Sequence, residues 1–383
     1  MLYRELRLSQ LIKLTLVSCL ILLAGCSNTT ANSTTNSRQG STPILHAPIL
    51  NTFSPLTFEC TSSQFCIAAN VKGQSIIFNG HEWLPKLYQI PQNPLVVFQL
   101  KCPENNKCVI AYANHMQSEI LISTFDGNAW STPKSLLTSD NNDATPIMSC
   151  APEVDFFCIL ADQGSSGNIY YLRGSTWSGP FPNPFNLPYI SYPIQPRRFS
   201  CASPKFCIGM SFQGLTYVYN GSTWSTWVQA VPSPPGNLDA APRYGPSTFC
   251  VTNNECFHLL QNKVYEFHNN KWSNITPSRK VIGKFVAIQS ISCGTGPFCI
   301  TQNWTPAING DPPGWHTKFP FFYYQNNKWH GPIKFPSLVA KSLQSGKYGT
   351  QFSCVSAKFC MIKYVGITLA YNADTGVSTI LNP

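Results

Sequence analysis

The sequence predicts an all-β chain, a seven-bladed β-propeller with one disulfide inside each blade. Three observations carry the prediction: sparse charge, evenly spaced cysteine pairs, and a turn-and-tryptophan motif between the pairs. Only 11% of the 383 residues are charged, whereas 31 prolines, 24 glycines and 13% aromatics supply turn punctuation and strand formers. Of the 16 cysteines, Cys19 and Cys26 lie near the N-terminus and fourteen fall into close pairs. The pairs are Cys60/Cys66, Cys102/Cys108, Cys150/Cys158, Cys201/Cys207, Cys250/Cys256, Cys293/Cys299 and Cys354/Cys360. Their first members are 42, 48, 51, 49, 43 and 61 residues apart, the period of propeller blades.

The surroundings of each pair repeat too. Phenylalanine precedes the second cysteine in five copies, as in Phe65-Cys66 and Phe359-Cys360, whereas Lys107 and Glu255 stand there in the other two. Further on, an aromatic or apolar stretch ends in a turn and a tryptophan. Examples are Phe78-Asn79-Gly80-His81-Glu82-Trp83, Tyr219-Asn220-Gly221-Ser222-Thr223-Trp224 and Tyr324-Gln325-Asn326-Asn327-Lys328-Trp329. Gly or Asn at the third place suits a turn needing positive φ, and Trp begins the next strand with a large apolar surface. The seventh copy keeps Tyr371-Asn372 but has no Trp. Each unit reads as four antiparallel strands, and seven such sheets around an axis leave only short protected edges.

Cysteines six apart across a tight hairpin can stand opposite one another, within the reach of a disulfide. Each short bridge is worth roughly 2 to 2.5 kcal/mol on the loop-entropy argument. Structural zinc uses four ligands, usually in C-x2-C pairs, and no C-x-x-C redox motif is present, so no metal or cofactor is expected. Either residues 44–52 or the segment from Gly376 to Leu381 supplies the outermost strand of the last blade, and the sequence leaves both open.

The N-terminus reads as an export signal. Arg4, Arg7 and Lys13 precede an apolar run from Leu14 to Ala24, about 11 residues against the roughly 20 of a membrane-spanning helix. Leu23-Ala24-Gly25-Cys26 resembles the bacterial lipobox, which implies lipidation at Cys26 and a mature chain that starts there. The expected organisation is a lipoprotein signal peptide over 1–25, a Ser/Thr/Asn-rich tether over 26–43 and the propeller over 44–383. The expected location is the cell envelope, lipid-anchored and extracytoplasmic, at the outer membrane where the host has one. Losing three basic and one acidic side chain with the signal leaves +8 of the formal +10 charge. No Lys/Arg run accompanies that charge, so nucleic acid is not an expected partner.

The unit C-x4-F-C followed by aromatic-x-G-x-x-W resembles the Cys-paired propeller repeats of secreted bacterial proteins, over about residues 55–383. More distantly, the G-x-x-W turn is similar to Asp-box and tectonin-type propellers, which include sialidases and lectins. The Asp-box places Asp two residues before that Gly, where this chain has Phe125 or Tyr219. Propeller ligands usually sit where second strands join third strands and blades join one another. An insertion between Cys299 and Trp329 brings Trp304, Trp315, His316 and Phe319 to such a connection. These residues suit stacking on sugar rings, anchoring a protein, or plugging the channel.

No G-x-S-x-G, H-E-x-x-H or phosphate-binding loop organises the histidines and acids, and no catalytic residue is assigned. Arg197, Arg198 and Arg243 with Glu255 only loosely approach a sialidase set. The expectation is a monomeric recognition module, not an enzyme, that binds carbohydrate or an envelope protein through one propeller face. A structural hub of the envelope and a sialidase-like glycoside hydrolase are the alternatives.

Overall fold

The computed structural model describes residues 55–70, 72–91, 96–113, 119–138, 146–152, 156–162, 168–182, 198–210, 215–225, 248–260, 263–282, 287–304, 321–335, 351–364 and 367–380. They form a seven-bladed β-propeller of antiparallel sheets, each built from consecutive strands. The first strands of blades 1 to 7 are Pro55–Ser62, Val96–Glu104, Pro146–Cys150, Arg198–Ser203, Thr248–Thr252, Ala287–Gly294 and Gln351–Ser356. Each contacts the first strand of the next blade, and Pro55–Ser62 also meets Gln351–Ser356, so these seven strands ring the axis.

All seven predicted cysteine pairs are disulfides joining first strand to second, with Cα atoms 3.9 or 4.0 Å apart. The second member of every pair is fully buried, at 0% exposure: Cys66, Cys108, Cys158, Cys207, Cys256, Cys299 and Cys360. Each stands on a second strand, covered by strands on both sides and by a neighbouring blade on each face. These cysteines are therefore staples of the interior, out of reach of any ligand, and they form no part of a binding surface. Cys108 packs between blades 1 and 2, Cys158 between blades 2 and 3, and Cys256 between blades 4 and 5.

So short a Cα separation marks a non-hydrogen-bonded antiparallel pair, in which both N–H groups point away from the partner strand. The N–H of each first cysteine therefore faces the axis, where no further strand exists to accept it. A serine of the preceding blade supplies the acceptor in four places. Ser149 Oγ accepts from Cys201 N at 3.0 Å, Ser200 from Cys250 at 2.7 Å, Ser292 from Cys354 at 3.2 Å and Ser353 from Cys60 at 2.8 Å. Between blades 1 and 2 an ion pair spans the same seam: Lys101 Nζ lies 3.1 Å from Glu59.

The core is distributed among the blades. Among the described residues the buried apolar side chains form seven clusters, one at each blade-to-blade interface. Alternation along a strand explains this, because successive side chains leave opposite faces of the sheet. On the second strand of blade 1, Phe65, Ile67 and Ala69 pack toward blade 2, while Cys66 and Ala68 pack toward blade 7.

Tryptophan bonds blades 2, 4, 5 and 6 each to the blade before it. Indole N–H groups donate from Trp130 to Ser75 Oγ, from Trp224 to Tyr171 OH and from Trp272 to Thr216 Oγ1, each at 2.8 Å. Trp329 donates to the Ile275 carbonyl at 2.5 Å. The expectation that Trp begins the fourth strand holds only in part. In blades 3, 5 and 6 Trp is the second residue of strands Thr176–Phe181, Lys271–Asn274 and Lys328–His330. In blades 1, 2 and 4 it makes an isolated bridge to the aromatic before the turn, and in blades 2 and 4 its indole N–H is committed to the neighbouring blade. The fourth strands of blades 1 and 2 start later, at Tyr88 and Lys134.

The turns divide in the same way. Asn269, Asn270, Asn326 and Asn327 all have positive φ and make two-residue hairpins in blades 5 and 6. In blades 1, 2 and 4 the residue after the aromatic is Asn or Asp, and its side-chain oxygen accepts two backbone N–H groups, as Asn79 does from His81 and Glu82.

Blade 7 answers the question of closure. Its fourth strand is Val377–Ile380, so all four strands come from the C-terminal repeat. The ring shuts by packing and by the Ser353–Cys60 bond, with Phe78 stacked on Phe359 at 6.2 Å. Residues 44–52 lie outside the described residues, as do Cys26, the signal peptide and the tether. The missing seventh Trp is offset at the interface of blades 6 and 7. Phe335 of blade 6 packs there near Tyr371, and Thr295 N donates to the Val355 carbonyl at 2.8 Å. Gly294 permits that approach, because a Cβ there would stand 2.4 Å from the Val355 carbonyl carbon.

Both seams are open to substitution. Ser353→Ala strands the Cys60 N–H and is expected to cost about 1 to 3 kcal/mol in chemical denaturation. Gly294→Ala should force the blade 6–7 seam to repack at a cost of about 1 to 3 kcal/mol. Gly296→Ala, with open space around it but φ of 72°, should lose about 1 kcal/mol from backbone strain alone.

Candidate functional site

Strand direction gives the propeller two different ends. Hairpins joining first to second and third to fourth strands share one end. The connections from second to third strand, and from each blade to the next, begin and finish at the other.

The hairpin end is closed upon itself. Ser62, Ser203, Thr252 and Ser356 hydroxyls each accept the backbone N–H two residues on, and every disulfide lies close to this end. Arg173 of blade 3 reaches blade 4, donating to Tyr219 OH at 3.1 Å and to the Gly221 carbonyl at 2.9 Å while lying over the Phe157 ring.

A carboxyl pair on blade 5 faces Tyr324 of blade 6. Glu255 stands close to Glu266 on the adjacent strand, and Tyr324 OH approaches Glu266 Oε2 at 3.5 Å and Asn327 Oδ1 at 3.4 Å. Burial, then repulsion from Glu266, holds the Glu255 carboxyl above the ordinary carboxylate value, with His268 opposing. Burial and the same two carboxyls push the Tyr324 phenol up to about 12. The two carboxyls crowd one another and Tyr324 at a blade-to-blade contact, whereas glycoside cleavage needs separate acid and base or nucleophile positions on either side of the bond. Arg198 begins the first strand of blade 4 at the connection end, opposite the end where Glu255 stands, so these two members of the sialidase set are not brought together. Arg197 and Arg243 lie outside the described residues.

The connection end holds the predicted ligand residues as far as they are described. Trp304 is the last residue of strand Phe298–Trp304 and pairs in register with Ala287, the first residue of its blade. Trp315, His316 and Phe319 lie outside the described residues. Leading to Trp304 is a buried polar run, Thr301, Gln302 and Asn303. Asn303 is fully buried, and its amide finds no hydrogen-bond partner among the described residues. A groove of about 300 Å³ on blade 7, lined by Phe359, Ala370, Tyr371, Asn372 and Val377, has Lys358 as its charged group. Among the described residues no cluster of three His, Cys, Asp or Glu could hold a metal ion. The serine acceptors were visible as a recurrent serine one residue before the first cysteine, at Ser149, Ser200, Ser292 and Ser353, but their partners lie a whole blade away.

No family model matches the chain, and no curated protein matches it. Among solved structures, it is similar to YCF48 bound to a D1 peptide, at 11% identity over 89% of this chain and 88% of that one, with a TM-score of 0.48. The WD40 domain of SCAP from fission yeast is similar at 11% identity over 88% of each chain, with a TM-score of 0.47. Dihydro-heme d1 dehydrogenase NirN in complex with DHE is similar at 10% identity over 85% of this chain and 65% of that one, with a TM-score of 0.48.

The carboxyl pair generates a pH prediction. A folded-state value above the unfolded one means the folded protein holds the Glu255 proton more tightly. Stability is then greatest with Glu255 protonated, and falls as pH rises from the ordinary value of 4.5 through the raised folded value. Glu255→Gln is expected to flatten that decline and to melt at a higher temperature than the parent near neutral pH. Thermal melts of both proteins across this range check it, and equal slopes exclude it.

Proposed function

We propose that the chain is an extracytoplasmic recognition module, held to a membrane through a lipid on Cys26, whose propeller presents its connection end to carbohydrate of the cell envelope. The observation that carries this reading is the inequality of the two ends. One is locked by seven disulfides and self-satisfied turns. The other receives every long connection, including the one that leaves from Trp304. Rigid scaffolds that display variable connections are a recurrent way to build binding sites. Seven disulfides in one chain suit an oxidising compartment, which supports export. The carboxyl pair of blade 5 is taken up by its contact with Tyr324 of blade 6, which favours binding over hydrolysis.

A glycan array probed with the full chain is expected to give specific sugar binding that Trp304→Ala and Trp315→Ala each weaken by about tenfold or more, the scale of one lost aromatic anchor. Binding to no glycan would remove carbohydrate as the ligand and turn the search to envelope proteins. Metabolic labelling with a radioactive fatty acid tests the anchor: the label should appear in the parent and vanish in Cys26→Ala.

A further inference from the structure

The outermost strand of a propeller blade leaves one row of backbone N–H and C=O groups without a partner strand, a template for pairing with another chain unless it is blunted. Most fourth strands of this ring are blunted. Lys134, Lys271 and Lys328 stand exposed on those of blades 2, 5 and 6, Pro180 interrupts that of blade 3, and that of blade 1 is only two residues long, Tyr88–Gln89. No fourth strand of blade 4 is among the described residues. The fourth strand of blade 7, Val377–Ile380, reads Val-Ser-Thr-Ile, with neither charge nor proline and with three β-branched residues. Val377 is 56% exposed.

Register fixes which groups this edge presents. Cys354 and Cys360 form the non-hydrogen-bonded pair of the blade, so the backbone N–H and C=O of Cys360 point to Tyr371, its partner on the third strand. Those of Tyr371 point back to Cys360, and its partner on the fourth strand, Ser378, therefore turns its own N–H and C=O outward. Two residues on, Ile380 does the same. Val377 and Thr379 bond inward, to Asn372 and Ala370.

The groove of about 300 Å³ on blade 7 runs beside this edge, on the face of the sheet turned toward blade 1. Phe359 and Ala370 give it an apolar floor, and Val377 and Thr379 stand on its outer side. Every second side chain of a strand added at Ser378 and Ile380 would fall on that same face. Lys358, at the hairpin end of the groove, is exposed and has no ion pair among the described residues. Asp374, an acid of the same hairpin end, accepts from Gln325 Nε2 at 3.0 Å.

We propose that this edge takes up an extended segment of a partner protein as a fifth strand of blade 7, antiparallel because that pairing is the more stable per residue. The segment's backbone bonds to Ser378 and Ile380, its apolar or β-branched side chains alternate over the groove, and an acidic group near its C-terminal end meets Lys358. A second copy of this chain fits less well. Four edge residues bury far less than the roughly 1,000 Å² of a stable interface between two bodies, and both copies carry the same net positive charge. The surface lies on the rim of the ring and is independent of what the connection end binds.

The test pans a display library of linear peptides against the full chain and measures the selected peptides by titration. They are expected to alternate apolar and polar residues and to carry an acid toward the C-terminus. Ser378→Pro removes one outward donor and no inward bond, and Val377→Lys adds the edge charge that other blades carry. Each should weaken binding by about tenfold or more, whereas Lys134→Glu on the edge of blade 2 should change it less than about twofold. Lys358→Glu should turn the selection from acidic to basic peptides. Copies methylated on the amides that face the edge should not bind. Val377 is exposed, so its variant should melt as the parent does and keeps the test valid even where Ser378→Pro is unstable.

No enrichment over an unrelated bait, binders indifferent to both edge variants, or full binding by the methylated copies overturns the inference. Dimers in sedimentation that Val377→Lys dissolves would replace the partner segment with a second copy of the chain.

Discussion

The first hairpin of each blade, with its two cysteines directly opposite one another, sets the terms for the rest of this propeller. A disulfide between first and second strands places the pair in the non-hydrogen-bonded register, and the N–H of the first cysteine then faces the axis. A backbone donor left without a partner in a crowded interior costs about as much as a lost hydrogen bond. The preceding blade resolves it with a serine hydroxyl at four interfaces, and one of those bonds, from Cys60 to Ser353, joins the last repeat to the first. The local staple and the ring are thus parts of one arrangement: the covalent link inside each blade creates the polar contact between blades.

The apolar contacts obey the same division. No blade owns a core, because alternation along the second strands sends consecutive side chains to opposite neighbours. Tryptophan extends that contact outward and backward, its N–H bonded to the preceding blade in blades 2, 4, 5 and 6. Blade 7 lacks the residue, and its interface with blade 6 closes in another way, through backbone contact at Gly294 and Thr295 and through Phe335. An interface built on backbone proximity tolerates no added side chain, so the repeat is least interchangeable where its motif is incomplete.

The two ends differ in how they use their polar groups. Residues at the hairpin end commit them to one another, in turns, in the Arg173 clamp and in the Glu255–Glu266–Tyr324 contact. At the connection end the buried carboxamide of Asn303, next to Trp304 in the chain, has no hydrogen-bond partner among the described residues. Buried polar groups without partners are uncommon in stable folds and concentrate where a protein keeps something besides stability.

The repeat, its number, the cysteine pairing and the turns that need positive φ were legible in the chain alone, because each depends on residues within one hairpin or one blade. Cys201 and Cys207 are six residues apart and Asn269 and Asn270 are adjacent, so spacing and backbone preference were sufficient. The later start of the fourth strand in blades 1 and 2 was not legible, because the same turn-and-tryptophan motif stands in blades where Trp lies inside that strand and in blades where it makes only an isolated bridge. Contacts between distant repeats had to form before three further points were settled. Val377–Ile380 completes the last blade, Ser353 caps Cys60 across 293 residues, and Glu255 faces Glu266 and Tyr324 at the opposite end from Arg198.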